Sequence, residues 1–207
     1  MTKTPRFLYF DLGNVLVNFD HQIAIDQLAS LTRATPDAIR QLVFDSPMQI
    51  QYEQGEMVTA EFCQQIRQHT GSTATDDEMC HAASNIFWVN HPILPLVGAL
   101  QMAGFRMGIL SNTCEAHWDY IESRNYGILK AFHHAVLSFR EKACKPSATI
   151  YERAAAQANC EAAELFFVDD RPDNVQGARE SGIDAVLFES TAQLAAELSG
   201  RGLRFNL

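Results

Sequence analysis

Three short apolar runs each stop at a cluster of oxygen-bearing side chains, and chemistry is possible at those stops. The first run, Phe7 to Phe10, breaks off at Asp11, with Gly13 and Asn14 just behind it. Another ends at Leu110 and runs into Ser111, Asn112 and Thr113; a third, Leu165 to Val168, ends at Asp169 and Asp170. Taken alone, Asp11 reads equally well as a turn former beside Gly and Asn. Recurrence is what marks the pattern. Lys145, directly before Pro146, adds a cation in a connecting loop. Carboxylates, hydroxyl and amide donors and one Lys, without a His or Cys cluster, suit a hard cation such as Mg2+ and a phosphate better than zinc. Mg2+ held between Asp11 and Asp170 would relieve their mutual repulsion and neutralise an incoming phosphate. Asp11 is then a candidate carboxylate nucleophile toward phosphorus, giving an aspartyl-phosphate that water hydrolyses. Ser111, Asn112 and Lys145 are candidate binders of the phosphoryl oxygens.

The elements that must position these groups follow from the apolar pattern. Phe7 to Phe10, Phe105 to Leu110, Ala135 to Leu137, Leu165 to Val168 and Ile183 to Phe188 read as strands, the first and fourth buried on both faces. Between them, Ile93 to Ala103, Cys114 to Ser123, a segment opened by Pro146 and Pro172 to Ser181 read as helices. Such alternation predicts an α/β fold with a parallel sheet covered by helices, whose polar strand ends share one edge. From about Asp20 to His91 the pattern is helical instead. His21 to Leu31, a helix capped by Thr35 with Pro36 at its first position, Thr59 to His69, and Thr75 to Trp88 with a Thr75/Glu78 capping box make a small helical module. It is inserted after the first strand, predicting a core of residues 1–17 and 91–207 and a helical cap of residues 18–90.

At 207 residues, 47% of them apolar, the chain can build one substantial core with an insertion. A formal net charge of −9 and the absence of a Lys/Arg run argue against nucleic acid as partner. No stretch approaches a membrane span and no secretory pattern opens the chain, so the expectation is a cytoplasmic protein with no membrane partner. Cys63, Cys80, Cys114, Cys144 and Cys160 are odd in number and scattered, which predicts reduced thiols.

In Phe10-Asp11-Leu12-Gly13-Asn14-Val15-Leu16, Leu110-Ser111-Asn112-Thr113, Lys145-Pro146 with Ile150-Tyr151 behind it, and Phe167-Val168-Asp169-Asp170 through Ala178, the chain resembles the haloacid dehalogenase superfamily of hydrolases, most of them phosphatases. The resemblance spans essentially the whole chain in order and spacing. It implies a Rossmann-like core with an inserted helical cap, and an Mg2+-dependent enzyme acting on a small phosphorylated substrate. By motif position, Asp11 is nucleophile and metal ligand, Gly13 a ligand through its backbone carbonyl, Asp170 the second acidic ligand and Asp169 an outer-shell group. Ser111 and Asn112 match the phosphate-binding motif, and Lys145 the Lys that neutralises phosphate and nucleophile. The pattern departs at Gly13, where most phosphatases of the superfamily carry an Asp acting as general acid and base, at Asn174, often Asp, and at Lys142, often Gly.

The same variant motif is similar to a bacterial branch that includes an α-D-glucose-1-phosphate phosphatase. An anomeric oxygen is a better leaving group than an ordinary alkoxide and depends less on an acid, which favours sugar 1-phosphates as substrates. His117, early in the helix after Thr113, is a candidate replacement for the acid, and Asp20 and His21 are candidate substrate contacts at the cap entrance. His133 and His134 read as loop or strand-edge residues, and Trp88 and Trp118 as packing. Three other readings stay open: a metal-free 2-haloacid dehalogenase-like hydrolase, a pseudo-enzyme that only binds a phosphorylated ligand, and a receiver-like signalling domain. The Asp169 and Asp170 pair opposes the first, and the helical insertion the last.

Overall fold

The computed structural model describes residues 4–207. Among the described residues the strands are β1 (Phe7–Phe10), β2 (Val17–Phe19), β3 (Phe87–Val89), β4 (Met107–Ser111), β5 (His134–Leu137), β6 (Leu165–Asp169) and β7 (Asp184–Leu187). The helices are α1 (His21–Thr32), α2 (Pro36–Ile39), α3 (Met48–Glu53), α4 (Thr59–Thr70), α5 (Asp76–Ser84), α6 (Leu94–Met102), α7 (Glu115–Ser123), α8 (Ser138–Glu141), α9 (Ala148–Ala158), α10 (Pro172–Glu180) and α11 (Thr191–Gly200). Five strands form one sheet in the order β5-β4-β1-β6-β7, every pair parallel. As predicted, the fold is α/β, with a parallel sheet flanked by helices and a helical insertion.

Strand alternation explains why both faces are covered. Leu8 and Phe10 of β1 face a cluster completed by Leu96 and Leu100 of α6, Ile121 of α7 and Leu194 of α11. Phe7 and Tyr9 point the other way, into a cluster with Ile150, Tyr151 and Ala154 of α9 and Val175 of α10. All four β1 side chains are essentially inaccessible, and burying each aromatic or Leu is worth about 1.5–3 kcal/mol. A separate cluster holds the inserted helices together, among them Leu28 and Ile25 of α1, Tyr52 of α3, Phe62 and Ile66 of α4 and Met79 of α5. Among the described residues no helix is long and apolar enough to cross a membrane, and all five cysteines are free thiols.

Several expectations need correction. The helix predicted over Thr75 to Trp88 ends at Ser84, because Phe87–Val89 pairs antiparallel with Val17–Phe19. Phe87, Trp88 and Val89 are aromatic or β-branched, a composition that favours a strand once a partner is present. Trp88 is 46% exposed on this ribbon rather than packed, whereas Trp118 is buried as expected. Pro146 does not open a helix: α9 starts at Ala148, with Ser147 as its cap. The insertion is therefore not purely helical, and its return is stitched by buried Asn90, whose Nδ2 donates to the Val15 carbonyl at 2.8 Å. Helix α3 falls within the stretch read as helical without being singled out there, and α11 lies beyond the last predicted element.

Gly177 of α10 brings two site-bearing segments together. A Cβ there would sit 2.6 Å from the Pro146 carbonyl oxygen, so the bare backbone lets the helix behind β6 press against the Lys145 loop. Gly177→Ala should gain about 1 kcal/mol of helix propensity and lose about 1–3 kcal/mol to overpacking. A backbone carbonyl gives way less easily than a side chain, so the loss should win. The expected outcome is a lower denaturation midpoint at unchanged m-value.

Candidate active site

The carboxyl ends of β4, β1 and β6 lie side by side, and their polar residues meet around one ammonium group. Lys145 Nζ donates to Asp11 Oδ1 at 2.7 Å, to Asp169 Oδ2 at 2.6 Å and to the Leu110 carbonyl at 2.9 Å. An ammonium has three hydrogens, and all are used. Lys145 is only 4% exposed. Burial opposes its charge, but the two carboxylates outweigh burial and raise its pKa, so it is a cation. The same burial acts on Asp11 with the opposite result: desolvation pushes its carboxyl up to about 7, against the pull of Lys145 and with repulsion from Asp169 and Asp170. One ammonium does not neutralise three acids.

Asp169 holds Lys145 in place. Its carboxylate accepts from the Arg171 backbone N–H at 2.8 Å and from Asn174 Nδ2 at 3.0 and 3.1 Å. Asn174 is buried, and Tyr151 Oη donates to its carbonyl at 2.6 Å. The departure from Asp at position 174 thus supplies a donor where another carboxylate would repel. Lys142, at a position that resembles a Gly in the superfamily pattern, has φ 51°, the left-handed conformation that a Gly adopts freely.

Asp170 accepts from Asn14 Nδ2 at 2.9 Å, and Asn14 itself is in a left-handed turn at φ 55°. Ligand oxygens of Asp11, Asp169 and Asp170 lie within 4.8 Å of one another. Oxygen-only donors with excess negative charge fit a hard divalent cation such as Mg2+. Gly13 lines the same cavity, and the space where its side chain would begin is filled: a Cβ would lie 2.8 Å from Phe19 Cε1.

The cavity over these groups measures about 190 Å³. Asp11, Gly13, Ser111, Asn112, Lys145 and Asp170, all singled out from the sequence, line it together. Ser111 is buried at the end of β4. Asn112 does a further job: its Nδ2 donates to the Lys145 carbonyl at 2.9 Å while its Oδ1 accepts from the Lys145 N–H at 2.8 Å. That two-point clamp fixes the backbone from which the ammonium projects.

A family model for haloacid dehalogenase-like hydrolases matches residues 7–182. The chain belongs to that family. Among solved structures, the HAD family enzyme bt-2542 from Bacteroides thetaiotaomicron in its magnesium complex is 27% identical, with TM-score 0.78 over 91% of this chain and 95% of that one. The same enzyme in complex with magnesium and inorganic phosphate is 25% identical, with TM-score 0.77 over 90% and 95%. L-2-haloacid dehalogenase from Xanthobacter autotrophicus, 18% identical with TM-score 0.64 over 95% and 83%, shares the fold.

The insertion contributes residues to this hydrolase's cavity that the sequence did not single out. Phe19, Gln49, Glu53 and Phe87 line it, together with Asn14 and Arg171 from the core. Of these, Glu53 lies in a polar stretch with no spacing signal, so only its place in the fold reveals it. His21 lines the cavity as expected, whereas Asp20 caps α1 by accepting from the Gln22 N–H at 2.8 Å. His117 is there too, edge-on to Phe87. Burial and nearby His21 push it down to about 4, so it is a neutral imidazole at physiological pH and a poor proton donor. His134 bonds Tyr9 Oη on the edge strand, and Arg140 packs over Trp118.

Lys145→Met should destabilise the fold by about 3–5 kcal/mol, since two buried carboxylates lose their counter-charge. Asp11, its carboxyl already raised by burial and now without the pull of Lys145, would take up a proton in the folded state at a higher pH than in the unfolded state, so stability should fall with rising pH. Denaturant titrations of variant and wild type at pH 5 and pH 8 should show the larger deficit at pH 8.

Proposed function

We propose that this hydrolase is an Mg2+-dependent phosphomonoesterase that works through an aspartyl-phosphate on Asp11. The observation that carries the reading is the cluster of Asp11, Asp169 and Asp170 around one buried ammonium, open to a small cavity at the strand ends. The magnesium and inorganic phosphate complex of bt-2542 supports it. Mg2+, held by Asp11, Asp170 and the Gly13 carbonyl, would offset the acidic charge and polarise the phosphoryl group.

In this mechanism, Asp11 Oδ attacks phosphorus while Lys145 draws negative charge from the carboxylate and the phosphoryl oxygens. Ser111 orients the phosphoryl group, and Asn112 keeps Lys145 in register through its peptide clamp. Asp169 stays behind Lys145, anchoring it. Water then attacks the phosphorus and frees Asp11. A metal-free dehalogenase gains nothing from two further carboxylates beside its nucleophile, which disfavours that reading.

The substrate is a small phosphorylated metabolite, for a cavity of about 190 Å³ lined by His21, Gln49 and Glu53 on the cap side leaves little more room than a sugar needs. Leaving-group chemistry favours sugar 1-phosphates within that class. In a phosphate-release assay, turnover should require Mg2+, disappear with chelator and fall at least about 10³-fold in Asp11→Asn. Glucose 1-phosphate should exceed glucose 6-phosphate in kcat/KM. Release that persists in Asp11→Asn would sink the covalent mechanism, and the reverse ranking would remove the sugar 1-phosphate assignment.

A further inference from the structure

Breaking a phosphate ester of an alcohol leaves an alkoxide, which needs a proton as the bond breaks. The groups around the cavity narrow the source to one. Asp11 and Asp170 belong to the cation site, and Lys145 has all three hydrogens committed to Asp11, Asp169 and Leu110. His117 is neutral, and burial lowers the pKa of His21 as well, which thins the protonated form of each. Arg171 does not release its proton. Position 13 offers no side chain, and the Phe19 ring fills the space beside it.

Glu53 remains. It sits at the end of α3, lines both the cavity over Asp11 and the apolar pocket that adjoins it, and has one donor to its carboxyl, Gln49 Nε2 at 2.8 Å. Although the residue belongs to the insertion, its backbone is fastened to the core. Its carbonyl accepts from Ser138 Oγ at 2.6 Å, and the same hydroxyl accepts from the Thr113 N–H at 2.9 Å, directly after the Ser111 and Asn112 segment. Next to it, Tyr52 Oη accepts from the Ala116 N–H at 3.1 Å. Gly55, at φ +68°, presses so closely on Phe139 that a Cβ would lie 2.2 Å from its carbonyl oxygen. Thus the backbone that carries the carboxyl is fastened to the segments that follow β4 and β5, beside the cavity that Glu53 lines.

We infer that Glu53 is the proton donor to the leaving oxygen, supplying from the cap the acid that position 13 lacks; the inference rests on the phosphomonoesterase reading above. As Asp11 Oδ forms its bond to phosphorus, the ester P–O bond breaks with its electron pair going to the leaving oxygen. That oxygen takes the Glu53 proton and departs as the alcohol. In the second step water attacks phosphorus and returns a proton to Glu53, and the acyl-phosphate P–O bond breaks to restore Asp11. Burial raises the Glu53 carboxyl above the usual range, which keeps a larger protonated fraction available, while the Gln49 hydrogen bond, Arg171 and Lys145 oppose the shift; Asp11, Asp170, His21, Tyr52, Cys114 and His117 line the same two cavities.

The test compares wild type, Glu53→Gln and Glu53→Asp on glucose 6-phosphate and on 4-nitrophenyl phosphate, whose leaving group needs no acid. Because kcat/KM reads only the steps through leaving-group departure, Glu53→Gln should lower it about 10²–10³-fold for the sugar ester and less than about tenfold for the aryl ester. Glu53→Asp, shorter but still acidic, should fall between. Magnesium-dependent binding of inorganic phosphate, followed calorimetrically, and the melting temperature check that the site is intact. Equal losses on both esters, or none on either, overturn the acid role while leaving the phosphatase reading standing. Wild-type protein that releases phosphate from neither of these esters nor from glucose 1-phosphate overturns both.

Discussion

The Lys145 ammonium, buried and with each hydrogen committed, is the interaction on which the site depends. A charge in so dry a position persists only when paired and hydrogen-bonded. Asp11 on the central strand, Asp169 on the neighbouring strand and the Leu110 carbonyl on the other neighbour satisfy it together. One side chain thereby fixes the spacing of three strand ends. Removing charge from that knot costs stability, yet keeping it leaves an unbalanced acid excess facing the cavity. This excess suits a divalent cation and an incoming phosphate, so the feature that is least comfortable for the fold is the one useful for chemistry.

Parallel pairing makes the knot possible. With β1 in the middle, β4 and β6 end at the same edge, and neighbouring strands lie roughly 5 Å apart, within reach of ordinary side chains. Around the knot are devices of smaller energy: the Asn112 clamp on the Lys145 peptide, the Asn174 amide on Asp169, the Asn14 amide on Asp170. In each, an amide meets a carboxylate or a peptide without adding charge, where another carboxylate would deepen the acid excess. The insertion then closes the cavity from above with Phe19, His21, Gln49, Glu53 and Phe87. Its ribbon, β2 with β3, carries two of these residues, and α3 carries two more. Hydrogen bonds tie α3 to the core, from Ser138 Oγ to the Glu53 carbonyl and from the Ala116 N–H to Tyr52 Oη, and Val17 and Phe87 of the ribbon pack with the core cluster.

What the sequence by itself determined is local or periodic. Alternating apolar runs and capped helices identify a parallel sheet because burial on both faces demands continuous apolar strands, and a run that stops at Asp11 or Asp169 marks a strand end without knowledge of its neighbours. Asp11, Ser111 and Asp170 were legible for this reason, whereas Lys145, in a connecting loop, was legible as the one cation among them and from the family motif. The tertiary structure alone decided what depends on partners distant in the chain. Residues 87–89 form a strand only because 17–19 lie alongside, and propensity in isolation extends the preceding helix instead. His117 is a neutral imidazole because of burial and His21, neither visible in its own helix. The Phe19 ring fills the space beside Gly13, and Glu53 lines the cavity that Asp11 also lines, its backbone bonded to Ser138; no spacing rule links such positions, because side-chain pattern encodes which face a residue shows and not which distant residue it meets.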